Sequence, residues 1–476
     1  MIDFDLRVWR KKKKRASGEP VLGLASFALI ETTPTDGTMT ADGFTWAQGS
    51  PMLVDQFGQF IALTQWSNSG TNTNSFIVSS DEGETWSYPT HTSMATASGE
   101  TFITRGAMAY DSINDLMHVL WNAADPGDGV IYRRYSITRD ESNAITALTR
   151  VSGVNLQLDY QNTGTMNYQH PVLIFCDDVG AEGGLLAIWG ARNSASATGT
   201  RSEVRASMRV LSNTTADNTP GNWAAPVSAS TSAIGQSPQV AYSAIVAKAA
   251  AASLCHPSAT RLANGDVFVV YTDGDSTEEI QRVVMVWDAA NEDWSNSLSA
   301  QVKIADIVRA GSDSGYGLKR EIITAPHEDA VNGLVYVAFS TWKGGGDGDT
   351  WSFVTVDGSG TVSAITDVYV AAEADCDSSI FVTGDLMFDT VTSRAAVLYT
   401  DLPDKHIYAA LYNGTTETQA GTLVFNGRPF DIPTVYPATV SGNLLVLGRD
   451  FNDAAAENPP TYTPPYDGYF GTVALG

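Results

Sequence analysis

The most constraining feature of this sequence is a hairpin that recurs along its length. GAMAYDSINDLMHVLW (106–121) and GDLMFDTVTSRAAVLY (384–399) each contain an apolar strand, a turn after Tyr-Asp or Phe-Asp, and a second apolar strand. Related hairpins occur at 50–66, 170–190, 256–272, 321–340 and 436–448. Repeated units of this kind bury their apolar faces against their neighbours, so the repeats predict one continuous body.

The seven hairpins predict an all-β fold. Equivalent positions lie 53 to 86 residues apart, which is enough each time for a four-stranded antiparallel sheet with its loops. Such repeats are typical of a β-propeller, in which ring closure protects strand edges. We expect seven blades, with six as the alternative if one hairpin is peripheral. Because the last unit has only 40 residues from Pro437 to Gly476, a strand from residues 21–48 is expected to complete its sheet.

One segment interrupts the β pattern. SAIVAKAAAASL (243–254) is rich in alanine, which has the highest helix propensity, and it falls in the longest gap between hairpins. We therefore expect a helical insertion near 243–254. The domain organisation predicted from the sequence is an extended basic arm, residues 1–20, followed by a single propeller domain, residues 21–476.

Charge is divided unevenly between the arm and the rest of the chain. The formal net charge is -25, whereas residues 1–20 hold seven basic and three acidic residues and thus carry +4, which leaves -29 for the remainder. An acidic body disfavours nucleic acid as a partner, and a basic arm favours docking on an acidic surface. The partner-binding residues predicted in the arm are Arg7, Arg10, Lys11, Lys12, Lys13, Lys14 and Arg15.

The apolar run VLGLASFALI (21–30) predicts neither a membrane span nor a secretion signal. It has half of the roughly 20 residues that a spanning helix needs. Glu19 and Pro20 separate it from the basic stretch, and no typical cleavage site follows. The three cysteines, at positions 176, 255 and 376, are an odd number and indicate assembly in a reducing cytosol.

The stretch SSDEGETW (79–86) has the composition of a tight turn. Gly83 stands where such a turn requires positive φ, Asp81 can accept backbone hydrogen bonds, and Trp86 supplies an apolar anchor. Together with Ser79 and Thr85, these residues resemble the Asp-box, or BNR repeat, of sialidase-like β-propellers. That resemblance implies a structural turn between the third and fourth strands of a blade, away from the active face. Weaker versions of the pattern occur at 217–223, 288–294 and 346–351.

The same resemblance implies catalytic residues that this sequence supplies only in part. Sialidases pair a Tyr with a Glu, use an Asp as acid and base, and grip the substrate carboxylate with three Arg, the first in an Arg-Ile-Pro stretch on the first inner strand. The corresponding segment here reads GSPML (49–53). The nearest cluster is YGLKRE (316–321), where Arg320 and Glu321 point to opposite faces if the segment is a strand. The sequence therefore favours a non-catalytic protein, with no catalytic residue assigned.

Other candidates for a ligand-binding face lie near the starts of inner strands and in loops. His170-Pro171 and His256-Pro257 hold the same place in successive hairpins, where they either bind a metal or serve as repeated structural residues. EADCDSS (373–379) is acidic but lacks the glycine-spaced calcium loop. The predicted ligand face comprises His170, His256, Arg320, Glu321, Asp375 and Asp377, with no metal or cofactor expected.

A proline-rich stretch near the C-terminus adds a third kind of candidate. NPPTYTPPYDGYFG (458–471) carries Tyr462, Tyr466 and Tyr469. Proline stiffens a loop, and exposed aromatic rings suit stacking on sugar rings or packing on a partner. The alternative is a loop without a function of its own.

Three classes of function fit these features. A basic arm, an incomplete arginine set and no secretion signal resemble the organisation of appendage proteins of tailed-bacteriophage virions. The resemblance implies a non-catalytic tail fibre, tail-tip or capsid-attached protein that assembles in the host cytoplasm and is then extracellular in the virion. Its arm would bind other virion proteins in an oligomeric assembly, and its propeller would recognise a host-surface glycan. The alternatives are a glycoside hydrolase acting on surface polysaccharide and a bacterial glycan-binding adhesin.

Overall fold

The protein is all-β in its computed structural model. The described residues form thirty strands and one short 3-10 helix, Pro220–Asn222. Within this part of the chain, no helix has the length and apolar character needed to cross a membrane. The structure describes residues 26–29, 43–46, 52–68, 71–91, 103–123, 129–151, 156–159, 166–193, 201–211, 220–227, 240–248, 256–273, 279–294, 298–306, 323–344, 347–372, 382, 384–401, 406–425, 430–435, 443–450 and 468–474.

The described strands form seven sheets, numbered here in chain order apart from β1 (Ser26–Leu29), which belongs to the last. Sheet 1 contains β2 (Gly43–Trp46), β3 (Met52–Val54), β4 (Phe60–Asn68) and β5 (Thr71–Ser79). Sheet 2 contains β6 (Thr90–His91), β7 (Ile103–Asp111), β8 (Leu116–Ala123), β9 (Gly129–Arg139), β10 (Ile145–Arg150) and β11 (Leu156–Asp159). Sheet 3 contains β12 (Met166–Cys176), β13 (Gly184–Asn193), β14 (Arg201–Val210) and β15 (Ser243–Lys248).

The second half of the chain repeats the four-stranded unit. Sheet 4 contains β16 (Pro257–Arg261), β17 (Val267–Asp273), β18 (Glu279–Met285) and β19 (Val302–Asp306). Sheet 5 contains β20 (His327–Asp329), β21 (Leu334–Gly344), β22 (Asp347–Asp357) and β23 (Thr366–Ala372). Sheet 6 contains β24 (Gly384–Asp389), β25 (Arg394–Thr400), β26 (Ile407–Asn413) and β27 (Thr416–Phe425). Sheet 7 contains β28 (Phe430–Val435), β29 (Asn443–Asp450), β30 (Gly468–Ala474) and β1.

Most sheets are antiparallel meanders in which successive strands pair. In sheet 1, β2 and β3 share one edge of β4, and β5 pairs with the other edge. In sheet 7, β1 pairs antiparallel with β30, with Ser26 opposite Thr472 and Leu29 opposite Tyr469. A strand from the start of the chain therefore completes the sheet formed by its last residues.

Each sheet packs against the next one along the chain. Apolar clusters join sheets 1 and 2, 2 and 3, 3 and 4, 4 and 5, and 5 and 6. Sheets 6 and 7 meet through β24 and β28, and β2 of sheet 1 lies beside β29 of sheet 7. This order of contacts is that of a β-propeller. The count of seven blades, with six as the alternative, stays a prediction.

Packing on both faces explains why the middle strands are apolar along their length. In β13 all five residues from Leu185 to Trp189 are fully buried, on both sides of the pleat. Three of the largest buried side chains, Trp189, Trp294 and Trp351, lie in or beside such middle strands. A strand with one solvated face would alternate between apolar and polar residues instead.

Short turns join the first and second strands at one end of the sheets, which we call the turn end. In four of these turns an aspartate Oδ1 accepts a hydrogen bond from the backbone N–H two residues later, at 2.9–3.2 Å. The aspartates are Asp55, Asp111, Asp329 and Asp389, and all are buried. This bond is the physical reason for the Asp that recurs in the repeated hairpins. We call the opposite end of the sheets the loop end.

The helix predicted near 243–254 is wrong for the residues that the structure describes. Ser243–Lys248 is the strand β15, which pairs antiparallel with β14. Ala244, Ile245 and Val246 are buried in it. Burial of the β-branched Ile245 and Val246 between sheets 3 and 4 outweighs the local helix preference of the alanines. The remainder of that segment, 249–254, lies outside the described residues, as does the arm, residues 1–20.

Candidate functional site

The strand ends that flank three of the predicted ligand-binding segments lie at one end of the sheets. Segment 307–322 joins β19 to sheet 5, segment 373–381 joins β23 to sheet 6, and segment 451–467 joins β29 to β30. All three connect strand ends at the loop end. Arg320, Glu321, Asp375 and Asp377 belong to these segments and lie outside the described residues, as do Tyr462 and Tyr466.

The structure brings together the two described members of the predicted ligand face, His170 and His256. Their rings stack with centroids 4.2 Å apart and planes inclined by 20°. His170 lies on β12, between the paired positions Gln169 and Val172, where the register shifts, and has φ +50°. His256 directly precedes β16, and its backbone N–H donates to Oγ1 of Thr272 at 3.1 Å. The pair thus lies between the innermost strands of sheets 3 and 4.

Two imidazoles can donate or accept hydrogen bonds, but they do not complete a metal site. A tetrahedral zinc site takes four ligands, three of them from the protein even in catalytic sites. Within the described part of the chain, no group of three or more His, Cys, Asp or Glu side chains is placed to hold a metal ion. The stacked rings are a direct contact between the innermost strands of sheets 3 and 4.

A stack of tyrosines at the loop end of sheets 5 and 6 was not predicted from the sequence. Tyr369 and Tyr399 stack with centroids 5.0 Å apart at 14°, and Tyr399 and Tyr408 with centroids 5.6 Å apart at 13°. The Tyr369 hydroxyl donates to Oδ1 of Asp401. Tyr399 is buried, whereas Tyr369, Tyr408 and Asp401 are half-buried. All three rings pack in the apolar cluster between sheets 5 and 6. Partly exposed aromatic rings beside a carboxylate suit a sugar, which offers apolar C–H faces and hydroxyl donors.

A buried charged group between sheets 2 and 3 was also missed. Arg205 on β14 bonds Oδ2 of Asp159 through Nη1 at 2.5 Å and Oε2 of Glu203 through Nε at 2.8 Å. Trp189 Nε1 donates to the same Asp159 oxygen at 2.9 Å, and Arg205 lies over the Tyr242 ring. Burial opposes the charge on Arg205, but attraction to Asp159 and Glu203 outweighs it and raises the pKa of the guanidinium. Because two carboxylates already hold this arginine away from solvent, it serves the fold.

The stretch 79–86 forms a closed turn at the turn end, directly after β5. Ser79 Oγ accepts from the backbone N–H of Gly83 at 2.9 Å, and Asp81 Oδ1 accepts from that of Thr85 at 2.8 Å. Gly83 has φ +87°. Trp86 is buried beside Phe60, with ring centroids 6.4 Å apart. Burial opposes ionisation of Asp81, but the hydrogen bonds from Thr85 and Ser79 outweigh it and lower the pKa of the carboxyl.

The same capping recurs in other sheets, but not always where the sequence pattern indicated. Asp140 and Asp357 each accept a hydrogen bond from the backbone N–H four residues later, at 3.0 and 2.8 Å. The weaker version of the 79–86 pattern at 346–351 predicts a turn there. This prediction is wrong, because 347–351 belong to the strand β22. There Trp351 is buried by its cross-strand partner and by sheet 6, and the turn at the equivalent place is 357–361.

No protein-family model matches this sequence, and no curated protein matches it. Similar solved structures include the polysaccharide lyase Uly1, with 10% identity and a TM-score of 0.48 over 96% of this chain and 98% of that chain. The NanB sialidase from Streptococcus pneumoniae has 11% identity and a TM-score of 0.43, covering 94% of this chain and 70% of that chain. The α-L-arabinofuranosidase PaAbf62A from Podospora anserina has 6% identity and a TM-score of 0.37, covering 96% and 98%. All three TM-scores are below 0.5, so the fold assignment rests on the strand order and sheet contacts of this chain.

Proposed function

We propose that this protein is a non-catalytic structural component of a tailed-phage virion, a tail fibre, tail-tip or capsid-attached appendage. It docks to other virion proteins by its N-terminal arm and presents its propeller to a glycan on the host surface. The observation that carries the proposal is a difference between the two ends of the sheets. The chain enters β1 at the turn end, since Ser26 pairs with Thr472 near the end of β30, whereas the strand ends that flank 307–322, 373–381 and 451–467 lie at the loop end, as does the tyrosine stack.

The turn end is suited to face the assembly. The turns there between first and second strands, at Asp111, Asp329 and Asp389, are short and closed by their own aspartates. The basic arm precedes the strand that begins at this end. A basic segment gains most on an acidic surface, and the phage-like organisation supplies a neighbouring protein as its partner.

The loop end is suited to bind a glycan. The tyrosine stack of Tyr369, Tyr399 and Tyr408 lies there. The Asp401 carboxylate accepts a hydrogen bond from the Tyr369 hydroxyl. The connection 451–467 leaves from the same end and carries two further tyrosines. Aromatic faces with adjacent carboxylates favour neutral sugars over anionic ones, because an acidic site repels a second negative charge.

Deletion of residues 1–18 tests the anchoring half of the proposal. We expect a folded propeller, by circular dichroism and tryptophan fluorescence, that no longer enters particles when it replaces the full chain in an assembly reaction. A chain in which Lys11 to Lys14 are replaced by arginine is the matched control and should assemble normally. Normal incorporation of the truncated chain would show that the arm is not the anchor.

Binding to a glycan array tests the recognition half. Replacing Tyr369 and Tyr408 by alanine should weaken retention of the bound glycan by about tenfold, since each stacked ring contributes about 0.5–1.5 kcal/mol. Ile113→Ala, at an exposed position of the turn end, is the matched control and should bind like the parent. Release of new reducing ends from the bound glycan would favour the glycoside hydrolase alternative instead.

A further inference from the structure

A groove of about 590 Å³ opens at the turn end, where sheets 3, 4 and 5 meet. Its charged lining residues are Asp177, Asp178, Arg261 and Glu328, and its aromatic walls are Phe175 and Trp287. Asp177 is exposed, and Glu328 is half-buried. The groove belongs neither to the tyrosine stack nor to the histidine pair, both of which lie away from the turn end.

Among the described lining residues, Arg261 is the one cation, and neighbouring groups of the groove hold it in place. Arg261 donates through Nη1 and Nη2 to the two oxygens of Asp178, at 2.5 and 2.8 Å, and its guanidinium lies 4.7 Å from the centre of the Trp287 ring. Glu328 accepts a hydrogen bond from the backbone N–H of Ala263 at 2.6 Å. Three carboxylates against one guanidinium leave the lining with a net charge of -2.

A net negative groove with aromatic walls selects a cationic ligand. Carboxylates pair with ammonium and guanidinium groups, and aromatic faces attract the same groups through their quadrupoles. An anionic or purely apolar segment would leave Asp177 and Glu328 without compensation. The chemistry therefore fits a peptide that is rich in lysine and arginine.

The chain contains such a segment, Arg-Lys-Lys-Lys-Lys-Arg at residues 10–15, and it precedes a strand that begins at the same end. Arg15 and Ser26 are eleven residue steps apart, enough to span up to about 36–40 Å when the chain is extended. A flexible tether that spans the distance between two sites gives a segment an effective concentration on the order of millimolar. We infer that, in the free chain, residues 10–15 dock in the chain's own acidic groove and leave it when an assembly partner takes the arm.

The effect of this docking on assembly rests on the proposed anchoring role of the arm. The contact between the arm and the groove does not depend on that role. Docking in cis covers the basic segment before assembly and gives the partner a competitor to displace. Asp177, Asp178 and Glu328 then act as a holding site, which sets how readily the arm is released.

Limited trypsin digestion of the full-length chain tests the contact. Trypsin cleaves after Lys and Arg, so a docked arm is cut slowly. The double variant Asp177→Asn with Glu328→Gln keeps the shapes of both side chains and removes two charges, and its arm should be cut about tenfold faster at low salt. The charge-matched control, Glu82→Gln with Glu417→Gln, changes two exposed acids elsewhere at the turn end and should behave like the parent. High salt should abolish the difference.

Two outcomes would overturn the inference. Equal cleavage of the arm in the parent, the double variant and the control would show that the groove does not hold it. Protection that rises with protein concentration would show docking on another copy rather than in cis. Either result would refute docking of the arm in the groove of its own chain. If deletion of residues 1–18 still prevents assembly, the proposal that the arm is the anchor stands.

Discussion

The stability of the protein should fall as the pH drops below 6.5, because of one buried imidazole. His327 lies on β20, opposite Tyr336 of β21, and burial lowers the pKa of its imidazole from 6.5 to about 4. The folded state therefore keeps His327 neutral over a range in which the unfolded chain takes up a proton. The stabilisation of the neutral form is fully present above pH 6.5 and is lost as the pH falls towards 4.

The size of this effect follows from the shift itself. One pKa unit corresponds to about 1.4 kcal/mol, so the shift of His327 amounts to about 3 kcal/mol once the pH is below 4. At a pH about 1.5 units below the unfolded pKa, about 2 kcal/mol is already lost. This is a large share of the stability of an ordinary domain.

The measurement is guanidinium-induced unfolding followed by tryptophan fluorescence at neutral and mildly acidic pH. Between neutral and mildly acidic pH, the free energy of unfolding should fall by about 2 kcal/mol less in His327→Leu than in the parent. Val335→Ala, a buried position of the paired strand, is the control, because it lowers stability without removing a titrating group. An unchanged pH dependence in His327→Leu, or an NMR titration of His327 with a midpoint near 6.5, would refute the reasoning.

Three further perturbations test the fold. Asp81→Ala should cost about 1–3 kcal/mol of unfolding free energy and raise the proteolysis rate at residues 79–86, since a charged acceptor is lost from the turn. Arg205→Met leaves two carboxylates buried without their cation and should cost about 3–5 kcal/mol, measured by thermal unfolding. Gly384→Ala puts a Cβ 2.2 Å from the Leu398 carbonyl oxygen and should lower the melting temperature, whereas Gly333→Ala meets no neighbour there and tests backbone strain alone.

The features that the sequence predicted well are those held by local bonds. The turn at 79–86 closes through bonds between residues four apart, so its composition suffices to indicate it. The recurrent aspartates, such as Asp111 and Asp389, likewise bond to backbone groups two residues away. The recurrence of the hairpins follows from the same repeated chemistry.

The features that escaped prediction depend on contacts between distant parts of the chain. Arg205 and Asp159 are 46 residues apart, and their types alone give no sign that they meet. The strand at Ser243–Lys248 forms because β14 offers it an edge, which alanine content does not reveal. His170 and His256 shared a place in the repeat, yet their ring stacking depends on how sheets 3 and 4 pack together.

Closure of the ring by β1 also determines how the proposed anchor would carry load. The arm leads into the turn-end side of β1, and β1 is held along its length to β30 in register from Ser26–Thr472 to Leu29–Tyr469. A pull on the arm acts along the strand axis, so it strains these four residue pairs together instead of opening them one at a time. Under the proposed function, binding of a host glycan at the loop end would pull on the ring in the opposite direction. A propeller anchored through its closing strand can therefore transmit force between its two ends with the ring intact, provided that the β1–β30 pairing holds.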